Sequence, residues 1–247
     1  MLGDAIELAI GLDLARSTPY PRYLALLDDE LATSMIDQCG MRPAHGADGR
    51  PGGVREPGWH GRKLSQDEVA RLADAAYYLA HCRSILEWPD KVDSGYLPGL
   101  LQFIREYAPW MLAHRVDESA ALVAMWRCYE QHARDYLSRL GTVVTAPVIV
   151  PRAAIADLIV GTTLLEVKAV ADPLDEFDLT FRQALIYALL AGDDHPISEI
   201  AIYWARHGVL TRWPLAELLG ELTSEPHPIE DYRKALLNLV ATDRADG

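Results

Sequence analysis

The stretch Ile155-Ala156-Asp157-Leu158-Ile159-Val160-Gly161-Thr162-Thr163-Leu164-Leu165-Glu166-Val167-Lys168-Ala169 reads as two apolar strands joined by a Gly-Thr turn. The first strand carries an acid, the second an acid-x-lysine. Strand side chains alternate between faces, so Glu166 and Lys168 point one way while Leu165 and Val167 point the other. A turn near Gly161-Thr162 folds Asp157 back toward Glu166. The plainer readings are a surface acid beside a turn at Asp157 and a solvated ion pair at Glu166 and Lys168. The apolar flanks instead favour a hairpin buried on both faces. Two carboxylates and a lysine at the end of such a hairpin are costly unless something uses them, and a hard divalent cation would.

Around the hairpin the texture divides the chain. Pro21 to Gln38 is apolar at helical spacing through Leu24, Leu27, Leu31 and Met35, and predicts a helix. Gly40 to Gly61 is rich in Gly, Pro, Arg and His without periodicity, and reads as a long surface loop. Ser65-Gln66-Asp67-Glu68 is a capping box opening a helix that runs to about Leu86. Tyr96 to Ala113 and Asp117 to Leu140 predict two more helices, the second opened by Asp117 as N-cap and closed by Gly141. Thr142 to Val150 is β-branched and apolar. Beyond the hairpin, Asp178 to Ala191 returns to helical spacing. Ile197 to Ala205 and Val209 to Trp213 are strand-like, with Arg206-His207-Gly208 as the turn between them. Pro214 to Leu222 and Ile229 to Val240 close the chain as helices. The expected organisation is a mainly helical region over 1–115 and a strand-containing domain over 116–247. No Pro/Ser-rich linker separates them, so the two parts are expected to pack together.

Composition narrows the classes. The 247 residues carry a net charge of −13, which works against general affinity for polyanions. Acids cluster at Asp28-Asp29-Glu30, Asp172 to Glu176, Asp193-Asp194 and Glu217 to Glu225. Arginines recur nearer the hairpin, at Arg127, Arg134, Arg139, Arg152, Arg182, Arg206 and Arg212, a distribution compatible with a local basic groove. No apolar run reaches the roughly 18 residues of a membrane span. The first residues lack a basic n-region, so no signal peptide is expected. Cys39, Cys82 and Cys128 are scattered singletons, which fits reduced thiols in a cytoplasmic protein better than a disulfide frame. Cys39, His45 and His60 match no usual zinc spacing. Tyr77, Trp110 and Trp126 fit core packing better than base stacking. There is no GxxxxGK[ST] string, so any ATP-driven motor must be another chain.

Asp157 on one strand, Glu166-Val167-Lys168 on the next and Gln183-Ala184-Leu185-Ile186-Tyr187 on the following helix together resemble the PD-(D/E)xK nuclease superfamily. The last motif is similar to the Q-x-x-x-Y of its RecB-like branch. The resemblance covers roughly Asp117 to Trp213. Ala156 stands where the motif's proline would be. The resemblance implies an α/β (α+β) fold, a restriction-endonuclease-like core with a mixed central sheet flanked by helices. It also implies a Mg²⁺- or Mn²⁺-dependent nuclease acting on nucleic acid, DNA ahead of RNA, in a defence, restriction or repair setting.

In that reading Asp157 and Glu166 supply carboxylates to the ion and Val167 its carbonyl. Glu130, on the helix ahead of the strands, is the best-placed further acid. Lys168 orients water or stabilises transition-state charge, with a pKa expected to fall beside the cation. Gln183 and Tyr187, four residues apart, share a helix face and support the site. Arg182 and Arg206 are candidate nucleic-acid contacts. The reading leaves room for a partner subunit such as a helicase or ATPase, or for self-association, and needs no membrane. Two rival readings are a non-catalytic interaction subunit that keeps the fold, and a hydrolase of mononucleotides or other small phosphoesters.

Overall fold

The computed structural model describes residues 2–16, 20, 29–45, 51–55, 62–86, 102, 116–150, 154–223 and 228–245. The quoted stretch forms the hairpin its pattern predicts. β6 (Leu158–Val160) pairs antiparallel with β7 (Thr163–Lys168), Leu158 opposite Leu165 and Val160 opposite Thr163. Gly161 turns the chain at φ 62, and its amide donates to the Thr142 carbonyl at 2.8 Å. A Cβ at Gly161 would run into the Leu140 carbonyl oxygen, so the turn needs glycine for space as well as for conformation.

A sheet of five strands grows from this hairpin in the order β3-β6-β7-β8-β9. β3 (Val143–Thr145) lies antiparallel beside β6. On the other side β8 (Glu199–Trp204) runs parallel to β7, which requires a crossover. Helix α6 (Pro173–Leu190) supplies it. β9 (Val209–Pro214) returns antiparallel to β8 through the Arg206-His207-Gly208 turn, as its sequence implied. The chain is thus mixed α/β about a mixed central sheet.

Both faces of the sheet are covered. Leu158, Val160, Leu165, Val167, Ala201 and Tyr203 share one core with α1 (Leu2–Leu14), α3 (Gln66–Leu86) and α4 (Val116–His132). Ile159, Leu164 and Ile200 face the other way, against Ala184 and Ala188 of α6 and Leu215, Leu218 and Leu219 of α7 (Leu215–Leu222). A strand buried on both sides reads as a continuous apolar run, and Thr163–Val167 is buried at every position. Against that background Glu166, wholly buried, is the anomaly. No helix among the described residues is long and apolar enough to cross a membrane.

The N-terminal helices are part of this body. Every residue from Ala5 to Leu14 is buried, so α1 is apolar nearly all round and shows no amphipathic stripe to mark it in the sequence. It is anchored by a buried ion pair. Arg134 donates to both Asp13 oxygens, at 2.9 and 2.6 Å, and Tyr129 donates to the same carboxylate at 3.0 Å. The capping box forms as read: Glu68 accepts the Ser65 amide at 2.8 Å and Ser65 Oγ accepts the Glu68 amide at 3.3 Å.

Several expectations need correction. Within Gly40–Gly61, β1 (Met41–His45) and β2 (Pro51–Arg55) pair as an antiparallel hairpin instead of a loop. Arg55 pins it, donating to the carbonyls of Cys39 at 2.6 Å and Ala15 at 3.4 Å, and Gly53 lies so close to α2 (Asp29–Gln38) that a Cβ would collide with Ile36. Long-range packing, not local pattern, makes these strands. The apolar run Thr142–Val150 is not one strand. It breaks at Ala146 (φ 48), and β4 (Val148–Val150) leaves to pair with β5 (Ala154–Ile155). The helix expected over Asp117–Leu140 breaks at Ala133 before the single turn α5 (Arg134–Leu137), and Asp117 stands inside it instead of capping it. α6 begins earlier than Asp178, where Asp172 caps the Leu174 amide at 2.9 Å and Pro173 fills the first turn. The final helix α8 (Ile229–Ala245) runs past Val240. Residues 21–28 and the helix expected over Tyr96–Ala113, Gln102 apart, lie outside the described residues.

Candidate active site

The site lies at the end of β7, where β6 stops pairing. The ladder stops at Leu158 opposite Leu165, and alternation from Leu164 turns Glu166 and Lys168 to the α6 side of the sheet. Asp157 does not extend the ladder. Its Oδ2 accepts the Val167 amide at 2.8 Å, supplying the bond that β6 no longer provides. The amide and carbonyl of a strand residue point to the same edge, so the Val167 carbonyl also faces this gap. Lys168 Nζ donates to Glu166 Oε2 at 3.1 Å.

Two groups that the sequence reading did not assign complete the cluster. Glu7 projects from α1 and Arg83 from the last turn of α3. Arg83 binds Glu7 Oε2 through Nη1, while its Nη2 lies 3.7 Å from Asp157 Oδ1. Asp4 stands 4.0 Å away at the outer edge. Asp4, Glu7, Arg83, Asp157, Lys168 and Gln183 line a cleft of about 350 Å³.

The acids oppose one another. Burial raises the Glu166 carboxyl to about 8, and Asp157 adds to it against Lys168 and Arg83. Glu7 is pushed well above the glutamate range by burial and by Asp157 and Glu166, with Arg83 pulling down. Burial works against the charge on Lys168, but Asp157, Glu166 and Glu7 outweigh it and its pKa rises. The fall expected beside a bound cation concerns a different state of the site. Without a second cation the lysine is held protonated.

The helix motif meets the site. Gln183 lines the cleft, and the Tyr187 pKa is raised by burial and by Glu166 and Asp157, with a hydrogen bond from Gln183 acting against them. Leu185 and Leu189 pack elsewhere, into the α6-side core.

Glu130 does not belong here. One oxygen accepts the Leu64 amide at 2.9 Å and the other binds Arg127, with Arg134 at 3.9 Å, so it ties α4 to the start of α3 beside a different hollow. Periodicity could not separate it from Glu7, which is the buried acid that reaches the sheet. The signal for Glu7 was an acid within the apolar run Ala5–Leu12. Arg182 is exposed and pairs with Asp178 at 2.9 Å, on the solvent side of α6. Arg206 donates to the Ala169 carbonyl at 2.7 Å, which puts it at the rim of the cleft. Of the other described arginines, Arg127 and Arg134 line the second hollow with Lys63, Arg139 pairs with Asp135, and Arg212 engages Glu199 and the Tyr136 ring. Cys39 is buried and its thiol pushed up to about 12, so it offers no thiolate.

The chemistry of the donor set suits a hard cation. Glu7 Oε1 and Glu166 Oε1 are buried without a hydrogen-bond partner, a state that native interiors rarely tolerate. Among the described residues, however, no three His, Cys, Asp or Glu side chains already stand in ligand geometry. Arg83 bridges Glu7 and Asp157 instead. No family model, no curated protein and no solved structure matches the chain.

Proposed function

We propose that the protein is a metal-dependent nuclease of the PD-(D/E)xK type, hydrolysing phosphodiester bonds in DNA ahead of RNA. The observation that carries this reading is Glu166. It is fully buried in a central strand, one of its oxygens has no partner, and it stands among two more acids and a lysine, with burial raising its pKa. Such an arrangement serves no folding purpose that an apolar residue would not serve better.

Glu166, Glu7, Asp157 and the Val167 carbonyl would hold Mg²⁺ or Mn²⁺, which would polarise the phosphate and acidify a bound water. Lys168, protonated and fixed to Glu166, enters the reaction as a cation and stabilises charge that develops on the phosphate oxygens. Gln183 presents its amide to the cleft and orients the attacked group, with Tyr187 hydrogen-bonded behind it. Arg206 at the rim suits a flanking phosphate. A defence, restriction or repair role, with a partner subunit supplying any motor, accords with this chemistry by analogy alone.

The test is cleavage of single- and double-stranded DNA and RNA in Mg²⁺ and in Mn²⁺. Chelator-sensitive cutting of a polymer supports the reading, turnover of mononucleotides alone would replace it with a small-phosphoester hydrolase, and no turnover at all would remove it. The net charge of −13 and the arginine seated among the acids favour one alternative, an interaction subunit that keeps the fold and binds no ion.

A further inference from the structure

Arg83 is the unusual member of the site. Its side chain is only 13% exposed and reaches from a different helix into the cluster, touching Glu7 and Asp157 with separate nitrogens of one planar fork. A guanidinium so placed neutralises oxygens that a divalent ion would need. Among the described residues, no three acids stand as a ligand set around it.

We propose that Arg83 is a resident counter-cation. It holds Glu7 and Asp157 in the metal-free protein and must release them when a divalent ion binds, so that α3 sets the ion concentration at which the site fills. The proposal rests on the cation-site reading above. Physically it is a competition: a fixed positive charge several ångströms from an incoming dication opposes binding, and removing it tightens binding on the order of tenfold or more in a partly buried site. The same removal strips Glu7 of its partner, so the ion-free protein becomes less stable.

The experiment is a Mn²⁺ titration of the full chain by calorimetry, with melting curves with and without ion, for wild type, Arg83→Met and Arg83→Lys. Arg83→Met is expected to melt lower without ion, to bind Mn²⁺ at least tenfold tighter than wild type, and to gain more in melting temperature when ion is added. Arg83→Lys keeps one charge but cannot bridge both acids, so it should bind severalfold tighter than wild type. It carries the test if Arg83→Met does not fold. Equal or weaker binding by these variants, with wild type binding normally, overturns the counter-cation and leaves the nuclease reading standing. Absence of binding in every protein overturns both.

Discussion

Asp157 Oδ2 accepts the Val167 amide at 2.8 Å, so one carboxylate both ends the β6–β7 ladder and faces the cleft. The two roles can be separated. Asp157→Asn keeps an acceptor for the amide and should fold close to wild type while losing metal affinity. Asp157→Ala leaves a buried N–H unsatisfied and should cost a further ~1–3 kcal/mol in denaturant unfolding. Equal stability of the two variants would show that the cap does not matter.

Glu166 makes stability depend on pH. Its carboxyl is raised from the ordinary glutamate value to about 8, so between these values the folded state holds a proton that the unfolded chain has released. Its contribution is therefore fully present below about pH 4.5 and is lost as pH rises through about 8. Melting temperatures measured from pH 5 to 9 should fall across this window in wild type and fall less in Glu166→Gln. A divalent ion should reverse the fall, because it favours the ionised carboxylate. A slope unchanged by the substitution would assign the effect elsewhere.

Lys168 separates catalysis from binding. Lys168→Ala removes a positive charge beside the acids, so Mn²⁺ binding should persist or tighten while cleavage falls on the order of a hundredfold or more. A matching loss of ion affinity would make the lysine a structural partner of Glu166.

Tyr187 reaches the site through its hydrogen bond with Gln183, its ring being packed beside the α6-side core. Tyr187→Phe should lower the cleavage rate and leave the denaturation midpoint nearly unchanged. An unaltered rate reduces the residue to packing.

The local parts of this site were legible and the long-range parts were not. The β6–β7 hairpin follows from period-2 alternation about Gly161, and the capping box from the spacing of Ser65 and Glu68. The shared face of Gln183 and Tyr187 follows from helical geometry, and all of these are decided within a few residues. Glu7 and Arg83 join the site only through the packing of α1 and α3 against the sheet, which no local pattern encodes. Glu130 and Glu7 differ in the same way: Glu130 lies on the helix next to the strands in sequence, whereas Glu7 is far away in sequence but adjacent in the fold. The β1–β2 hairpin has no alternating apolar residues to mark it, because a buried arginine and a close glycine contact hold it.

The central claim is that Glu7 and Glu166, not Glu130, complete a hydrolytic metal site, and the most direct measurement is the Mg²⁺-dependent DNA cleavage rate of wild type, Glu7→Gln, Glu166→Gln and Glu130→Gln. Wild type should cut, the Glu7 and Glu166 variants should lose on the order of a hundredfold or more, and Glu130→Gln should cut at near the wild-type rate while unfolding more easily. A wild type without metal-dependent cleavage, or Glu7→Gln and Glu166→Gln variants as active as wild type, would contradict the account.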